Sequence, residues 1–329
     1  AGVLAILISV LAGPRYISFL RAHRVGQNIR DEGPAGHQVK SGTPTMGGLL
    51  IVVAMVVPYL VFSDHGRKSL AVLGATLGCS AIGLLDDWKK VIRRRSLGLR
   101  GRWKLLAQLL VAIALCLVAH DQGVSTRIFL PLVDQHVDLG PLWYGLVFLI
   151  VLGASNAVNL TDGLDGLAAG TTSIVVLCYT AMTVIGYQVS TRADRPNLET
   201  LDLAILAAAL LGACVGFLWY NSFPAEVFMG DTGSLALGGA VAGFAVFTKT
   251  EVLLPLIGLI FVAEALSVII QVFSYKRFGR RVFLMAPIHH HFEMKAWSET
   301  KIMVRFWIVA TVAASTGFVL YYLRFDQYV

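Results

Sequence analysis

An apolar stretch, Leu70 to Leu85, runs straight into two adjacent carboxylates, Asp86 and Asp87, and then into the basic block WKKVIRRR. The C-terminal end of a helix carries the negative pole of its dipole, so a carboxylate there costs roughly 0.3–1 kcal/mol. Two neighbouring acids repel each other as well. A nearby cation removes both penalties, and Lys89 and Lys90 are one source of it. A second source follows from the other acids. Asp162, Asp165 and Asp231 also stand at the ends of apolar segments. Each has a local explanation, since Asp162 or Asp165 fits the N-cap of the sixth apolar segment and Asp231 that of the eighth. Capping does not explain Asp86 and Asp87, which lie at the wrong helix end. Gathered together, the five acids suit a hard divalent cation such as Mg²⁺. That ion takes one or two carboxylates and fills its remaining positions with water and phosphate oxygens.

Three further stretches carry chemistry. NAVNLTDGLDGL (156–167) and NSFPAEVFMGDTGS (221–234) hold Asp, Asn and Gly and no Lys or Arg. In the second, Phe228 could stack on a flat ring or simply pack. VKSGTPTMGG (39–48) offers Lys40 as a point charge for phosphate, Thr43 or Thr45 as a helix cap, and Gly47 and Gly48 for close backbone approach. MAPIHHHFE (285–293) holds His289, His290 and His291. Adjacent side chains diverge and no spaced Cys or His partner is near, which argues against zinc. In an extended loop His289 and His291 share one side and His290 takes the other, placed to donate hydrogen bonds to phosphate or to move a proton. Glu264, in the middle of FVAEALSVIIQVF, is either a functional acid, the default for a buried acid in a membrane helix, or a structural hydrogen bond to a neighbouring helix, with Gln271 two turns on.

The elements that must position these residues are apolar helices. The chain has 329 residues, 56% of them hydrophobic and 14% charged, and a mean hydropathy of +0.71. A soluble chain is nearer a quarter charged. The apolar runs are too long for barrel strands and do not alternate, so the expected class is an all-α polytopic integral membrane protein. Ten spans are expected, near 1–20, 47–63, 69–87, 103–119, 141–157, 166–188, 201–220, 234–248, 251–274 and 302–323. No basic segment precedes the first, so no cleaved signal is expected. Cys79, Cys116, Cys178 and Cys214 fall inside spans and read as packing.

Charge sets the orientation. The loops 15–40, 86–104 and 275–305 carry twenty of the 27 Lys plus Arg. By the positive-inside rule that side is cytoplasmic, and ten spans put both termini outside it. The net charge of +7 is therefore topological and implies no nucleic acid. No repeat or linker divides the chain, which reads as one catalytic membrane domain over 1–329. Its site-bearing loops are 15–46, 86–104, 154–166, 220–234 and 275–301. The missing repeat weakens a transporter reading, as do acids at the rim rather than the midplane.

GTPTMGG, LLDDWKK, NAVNLTDGLDGL, FLWYNSFPAEVFMGDTGSLALGG and APIHHHFE together resemble the bacterial phospho-N-acetylmuramoyl-pentapeptide transferase (MraY) family, within the polyprenyl-phosphate hexosamine-1-phosphate transferases. The likeness runs in order along essentially the whole chain. It implies a Mg²⁺-dependent enzyme of the bacterial inner membrane that takes UDP-MurNAc-pentapeptide and undecaprenyl phosphate to lipid I and UMP. It also implies a homodimer. A GlcNAc-1-phosphate transferase on the same lipid carrier is the nearest alternative. By position, the resemblance makes Asp231 the metal ligand. It makes Asp86 and Asp87 essential, one of them a base for the lipid phosphate or a further metal holder. It sets Lys40, Asn159, Asp162, Asp165, Asn221, Phe228, Gln271, His289 and His290 around the substrate, with Phe228 on uracil. Among these His290 is the catalytic candidate, and Thr45 and His291, in the same motifs, join the substrate-binding candidates.

Overall fold

The computed structural model describes residues 1–23, 26, 42–93 and 98–328. Its elements in chain order are α1 (Gly2–Ala22), α2 (Gly48–Phe62), α3 (Arg67–Arg93), α4 (Gly101–Asp121), β1 (Arg127–Leu130), β2 (Gln135–Asp138), α5 (Leu142–Thr161), α6 (Leu167–Arg192), α7 (Leu198–Asn221), α8 (Gly230–Phe247), α9 (Leu254–Ile257), α10 (Leu259–Phe278), α11 (Ile288–Glu293) and α12 (Glu299–Leu323). Among the described residues nine helices are long and apolar enough to cross a membrane, and α2, with 15 residues, is a shorter apolar helix. The chain is a multi-pass membrane protein. Lipid cannot satisfy backbone N–H and C=O groups, so each span must close its own hydrogen bonds as a helix. That is why hydropathy alone placed the apolar helices, nine of them long enough to span among the described residues.

The centre of the bundle is α8. In its most apolar stretch 89% of residues are buried, against 22% in α10 and 28% in α1. The sequence GDTGSLALGGAVAGFAVF explains this position. With no hydrophobic drive between helices in lipid, small residues let backbones meet and van der Waals contact do the holding. Gly238 lies against Ala154 and Ser155 of α5, Gly239 against Ala75 and Cys79 of α3, Gly243 against Val72 of α3, and Gly233 against Gly48 of α2. From α3 the contact is returned by Gly83: a Cβ there would stand 2.1 Å from the Asp231 carbonyl oxygen. Around this centre α7 packs on α1, α2 and α6, α6 on α12, and α4 on α3 and α5.

Three features depart from the sequence reading. The ninth expected span is two helices: α9 ends at Ile257 and α10 starts at Leu259 after Gly258. The α4–α5 connection is an antiparallel hairpin, Arg127 paired with Asp138 through Leu130 with Gln135, and it lies at the end of the bundle away from the acids. Strands of four residues leave too short a pattern to announce themselves. The histidine tract is helical (α11), so its three side chains fan out and His289 and His291 do not share a side.

Gly83→Ala should destabilise the protein by roughly 1–3 kcal/mol, because the added methyl must push α3 off α8. Gly74→Ala on the same helix, where a Cβ meets nothing within 4 Å, should be neutral or mildly stabilising. Thermal unfolding of the detergent-solubilised variants checks the pair; equal midpoints would remove Gly83 from the argument.

Candidate active site

The C-terminal ends of α3, α5 and α7 meet the N-terminal ends of α2, α4, α6 and α8 at one end of the bundle. The meeting of α3 with α8 decides the rest. Asp87 sits on the last turns of α3, but its carboxylate faces the first turn of α8. Its Oδ1 accepts from the Asp231 N–H at 3.2 Å. Its Oδ2 accepts from the Thr232 N–H at 2.9 Å and the Thr232 hydroxyl at 2.7 Å. It therefore satisfies helix donors that no residue of α8 caps, and it sees the positive pole of that dipole. The end residue of α8 is Met229, without a side-chain cap, so Asp231 is not a cap. Gly230 makes the contact possible with φ +73°, and a Cβ there would strike Asp87 at 2.7 Å and Thr45 at 2.9 Å.

With α8 so held, Asp231 stands beside Asp86. Oxygens of Asp86, Asp87 and Asp231 all lie within 4.8 Å of one another. Asp86 and Asp87 are buried, and Asp231 is partly so. Two ammonium groups balance them. Lys90 Nζ lies 2.7 Å from Asp86 Oδ2, 3.1 Å from Asp231 Oδ1 and 3.6 Å from Asp87 Oδ1. Lys104 Nζ lies 2.8 Å from Asp231 Oδ2 and 3.1 Å from Asp86 Oδ1. The Leu99 N–H also donates to Asp86 Oδ1, at 2.6 Å. Asn159 fixes the Asp231 rotamer by donating to its Oδ1 at 3.0 Å and to Ser234 at 2.8 Å. Lys90 was expected as a neutralising cation, whereas Lys89 makes no contact with the acids.

The donor set fits a hard dication. It is three carboxylates, all oxygen, and the buried Asp86 Oδ2 accepts no hydrogen bond, only the ion pair with Lys90. Both Asp87 oxygens are taken by the first turn of α8, whereas Asp86 Oδ2 and the Asp231 oxygens meet ammonium groups and no backbone donor, so Asp86 and Asp231 are the pair better able to hold a metal.

Around the triangle three loops are tied together. Asp162, which ends α5 rather than capping α6, accepts from the Gly230 N–H. Burial, and then the charges of Asp231, Asp87 and Asp165, push its carboxyl up to about 8. Its raised affinity for a proton contributes stability that is fully present below the ordinary carboxylate range and is lost progressively as the pH rises from there to about 8. Asp165 accepts from the Ala225 N–H at 3.0 Å. Asn221 bridges the Gly166 N–H and the Val227 carbonyl. The Phe228 backbone pairs with Pro44 and Gly47, whose neighbours Thr43 and Thr45 cap nothing: α2 begins after Gly47 without a side-chain cap. The histidines divide. His289 is fully buried, its Nδ1 3.0 Å from Glu264 Oε1 and its Nε2 against Gly163. His290 pairs with Glu293. His291 accepts from the Leu284 N–H at 3.1 Å. Gln271 holds the backbone of Val282 and Phe283. Lys40 lies outside the described residues.

Sequence reasoning missed Lys104 and Thr232. A signal for Lys104 was present: Gln108, one turn on, is a polar residue in an apolar helix and shares its face. Gln108 donates to Ser155 at 2.8 Å and clamps α4 to α5.

A helical bundle in the membrane, with an acid triangle balanced by lysines at one end, defines a membrane-embedded enzyme built to handle anionic groups. Comparison with known proteins narrows this. The family described as Glycosyl transferase family 4 matches residues 69–249, and the Phospho-N-acetylmuramoyl-pentapeptide-transferase signature 1 matches residues 40–52. Proteins named phospho-N-acetylmuramoyl-pentapeptide-transferase are similar over almost their whole length. The one from Rubrobacter xylanophilus is 46% identical over 325 residues, 97% of this chain and 95% of the relative. Those from Bacillus mycoides and Desulfitobacterium hafniense are 48% and 45% identical, covering 96% and 98% of this chain and 95% and 96% of theirs. The chain belongs to the phospho-N-acetylmuramoyl-pentapeptide transferase family.

Asp87→Ala should cost roughly 3 kcal/mol or more, since at least two hydrogen bonds to a charged acceptor are lost and α8 keeps orphaned donors. Glu264→Leu, which strands His289, should cost on the order of 3 kcal/mol, and Glu264→Gln, which keeps an acceptor, about 1 kcal/mol. Unfolding midpoints in detergent read both series. An Asp87→Ala protein as stable as wild type would mean that α8 is seated by packing alone.

Proposed function

We propose that this protein transfers the phospho-MurNAc-pentapeptide of UDP-MurNAc-pentapeptide to undecaprenyl phosphate, forming lipid I and releasing UMP, in the bacterial inner membrane. The carrying observation is the Asp86–Asp231 pair, whose oxygens meet the ammonium groups of Lys90 and Lys104, the Asn159 amide and a single backbone N–H, that of Leu99, within a chain alike in sequence to named transferases over almost its whole length. The site end faces the cytoplasm and both termini lie outside, because most Lys and Arg gather on the loops at that end. The chain works as one catalytic domain and as a homodimer.

The reaction brings two anions together, so its barrier is lowered by alignment and by neutralising charge. Mg²⁺ held by Asp231 and Asp86 would supply a Lewis acid for the diphosphate. Asp87 keeps Asp231 in place through α8, and Asn159 fixes its rotamer. Asp86 is the carboxylate on the lipid-phosphate side of the metal, and that phosphate attacks directly, being already a competent nucleophile at neutral pH. Asp162, Asp165, Asn221 and Phe228, with Lys40 and Thr45, bind the nucleotide from the tied loops, and Phe228 stacks on uracil. His289 steadies the Asp162–Asp165 loop. His290 takes the proton-transfer role, and His291 and Gln271 shape the 282–284 segment against the substrate.

UMP release from purified protein, measured with undecaprenyl phosphate and either UDP-MurNAc-pentapeptide or UDP-GlcNAc, tests the reading. Release only from UDP-GlcNAc would replace it with the sister reaction. Asp231→Asn should keep its unfolding midpoint and lose at least roughly 100-fold in rate. Near-normal turnover would place the metal elsewhere.

A further inference from the structure

The six oxygens of the acid triangle are not equally committed. Both Asp87 oxygens are taken by the first turn of α8. Asp86 Oδ1 takes the Leu99 N–H and Lys104. Asp231 Oδ2 takes Lys104, and Asp231 Oδ1 takes the Asn159 amide. Lys90 sits on Asp86 Oδ2, which accepts no hydrogen bond, and on Asp231 Oδ1, while also lying 3.6 Å from Asp87. No other described cation approaches all three acids. A dication held by Asp86 and Asp231 needs those same oxygens, and it cannot share them with an ammonium ion at contact distance without strong like-charge repulsion.

Lys90 is free to leave. It stands on the last turn of α3, one turn beyond Asp86, and its side chain is 31% exposed while the Asp86 side chain is 1% exposed. A lysine is a compact charge on a flexible four-carbon stem, so the head can swing out while the backbone stays put. Lys104 differs. Its ammonium sits on Asp231 Oδ2 and Asp86 Oδ1 from the N-terminal turn of α4, its side chain is 20% exposed, and it forms no ion pair with Asp87. It leaves Asp86 Oδ2 and Asp231 Oδ1 to Lys90.

We propose that Lys90 is a resident cation of the metal-free enzyme, displaced from Asp86 and Asp231 when the metal binds, and that its released ammonium group then binds the diphosphate of the nucleotide. Without metal the ammonium keeps the buried acids paired. With metal and Lys90 both in place the cluster would carry an excess positive charge; when Lys90 leaves, the three carboxylates are neutralised by the dication and Lys104, and the freed head goes to the nearest anion. Metal and nucleotide then favour each other's binding, by reciprocity of linked equilibria. This rests on the metal-dependent transferase reading above.

The test uses full-length protein in detergent, Mn²⁺ as the metal probe and UDP as the diphosphate probe, with calorimetry and Mn²⁺ paramagnetic resonance as readouts. Lys90→Met should bind Mn²⁺ about tenfold more tightly in the absence of nucleotide, the size of one charge-assisted contact removed from competition. Lys89→Met makes the same charge change on the same helix turn without touching the acids, and it should shift Mn²⁺ affinity less than about twofold. UDP separates exchange from a permanent phosphate contact. Lys90→Met should weaken UDP by about tenfold with Mn²⁺ present and by less than about twofold without it. Equal losses in both conditions, no loss with Mn²⁺, or an equal Mn²⁺ gain in Lys89→Met would overturn the exchange. Lys90→Gln is carried in parallel, because it keeps a neutral donor to the acids and so guards against a misfolded Met variant. Asp231→Asn supplies the baseline. If wild type, like Asp231→Asn, holds no Mn²⁺, the metal reading fails and the exchange with it, whereas Asp231-dependent binding without the Lys90 effects sinks the exchange alone.

Discussion

The structure depends on one contact, the Asp87 carboxylate at the end of α3 accepting the first backbone donors of α8. Two difficulties cancel there. A carboxylate at a helix C-terminus is misplaced, and a helix N-terminus buried in a bundle has orphaned N–H groups. Setting one against the other removes both. It also fixes the register of α8 against α3, and that register brings Asp231 beside Asp86. Gly83 and Gly230 permit the approach, and the glycine-rich face of α8 lets α2 and α5 close around it. The acid triangle is therefore a product of packing rather than of loops that happen to meet.

Much of this could be read in the residues. The apolar helices were legible because lipid admits little besides helices, though one of the ten expected spans, α2, is shorter than a full crossing. The convergence of acids was legible because Asp86 and Asp87 made no sense as local helix chemistry. The difference between the two was not. Only the turn of α3 against α8 shows that both Asp87 oxygens are bound by α8 while Asp86 keeps one oxygen that meets only Lys90. Lys104 was hidden among eight basic residues of one loop, though Gln108 on the same face hinted at it. The hairpin and the break at Gly258 left no pattern, since four-residue strands and a single Gly in an apolar run are compatible with continuous helix or plain loop.

The histidine tract shows a different limit. Three identical residues in a row carry no information about direction, and a helical turn sends each to its own partner. His289 goes inward to Glu264, which explains an acid in the middle of a membrane helix. Two groups that would each be costly alone become one buried pair next to Gly163. The pair ties α10 to α11 and sets the His289 ring against Gly163, in the loop that carries Asp162 and Asp165.

The brevity of α2 has a consequence for the lipid around it. Its 15 residues rise about 22 Å, against roughly 30 Å of hydrocarbon in an ordinary bilayer. Val53, Val57, Leu60, Val61 and Phe62 on this helix are exposed and must be covered by acyl chains. A span too short for its surroundings thins the leaflets beside it. The headgroup plane next to α2 is thus drawn inward toward Gly47 and the acid-bearing rim. A phosphate on a very long isoprenoid tail would meet the reaction centre with less of that tail lifted out of the oil.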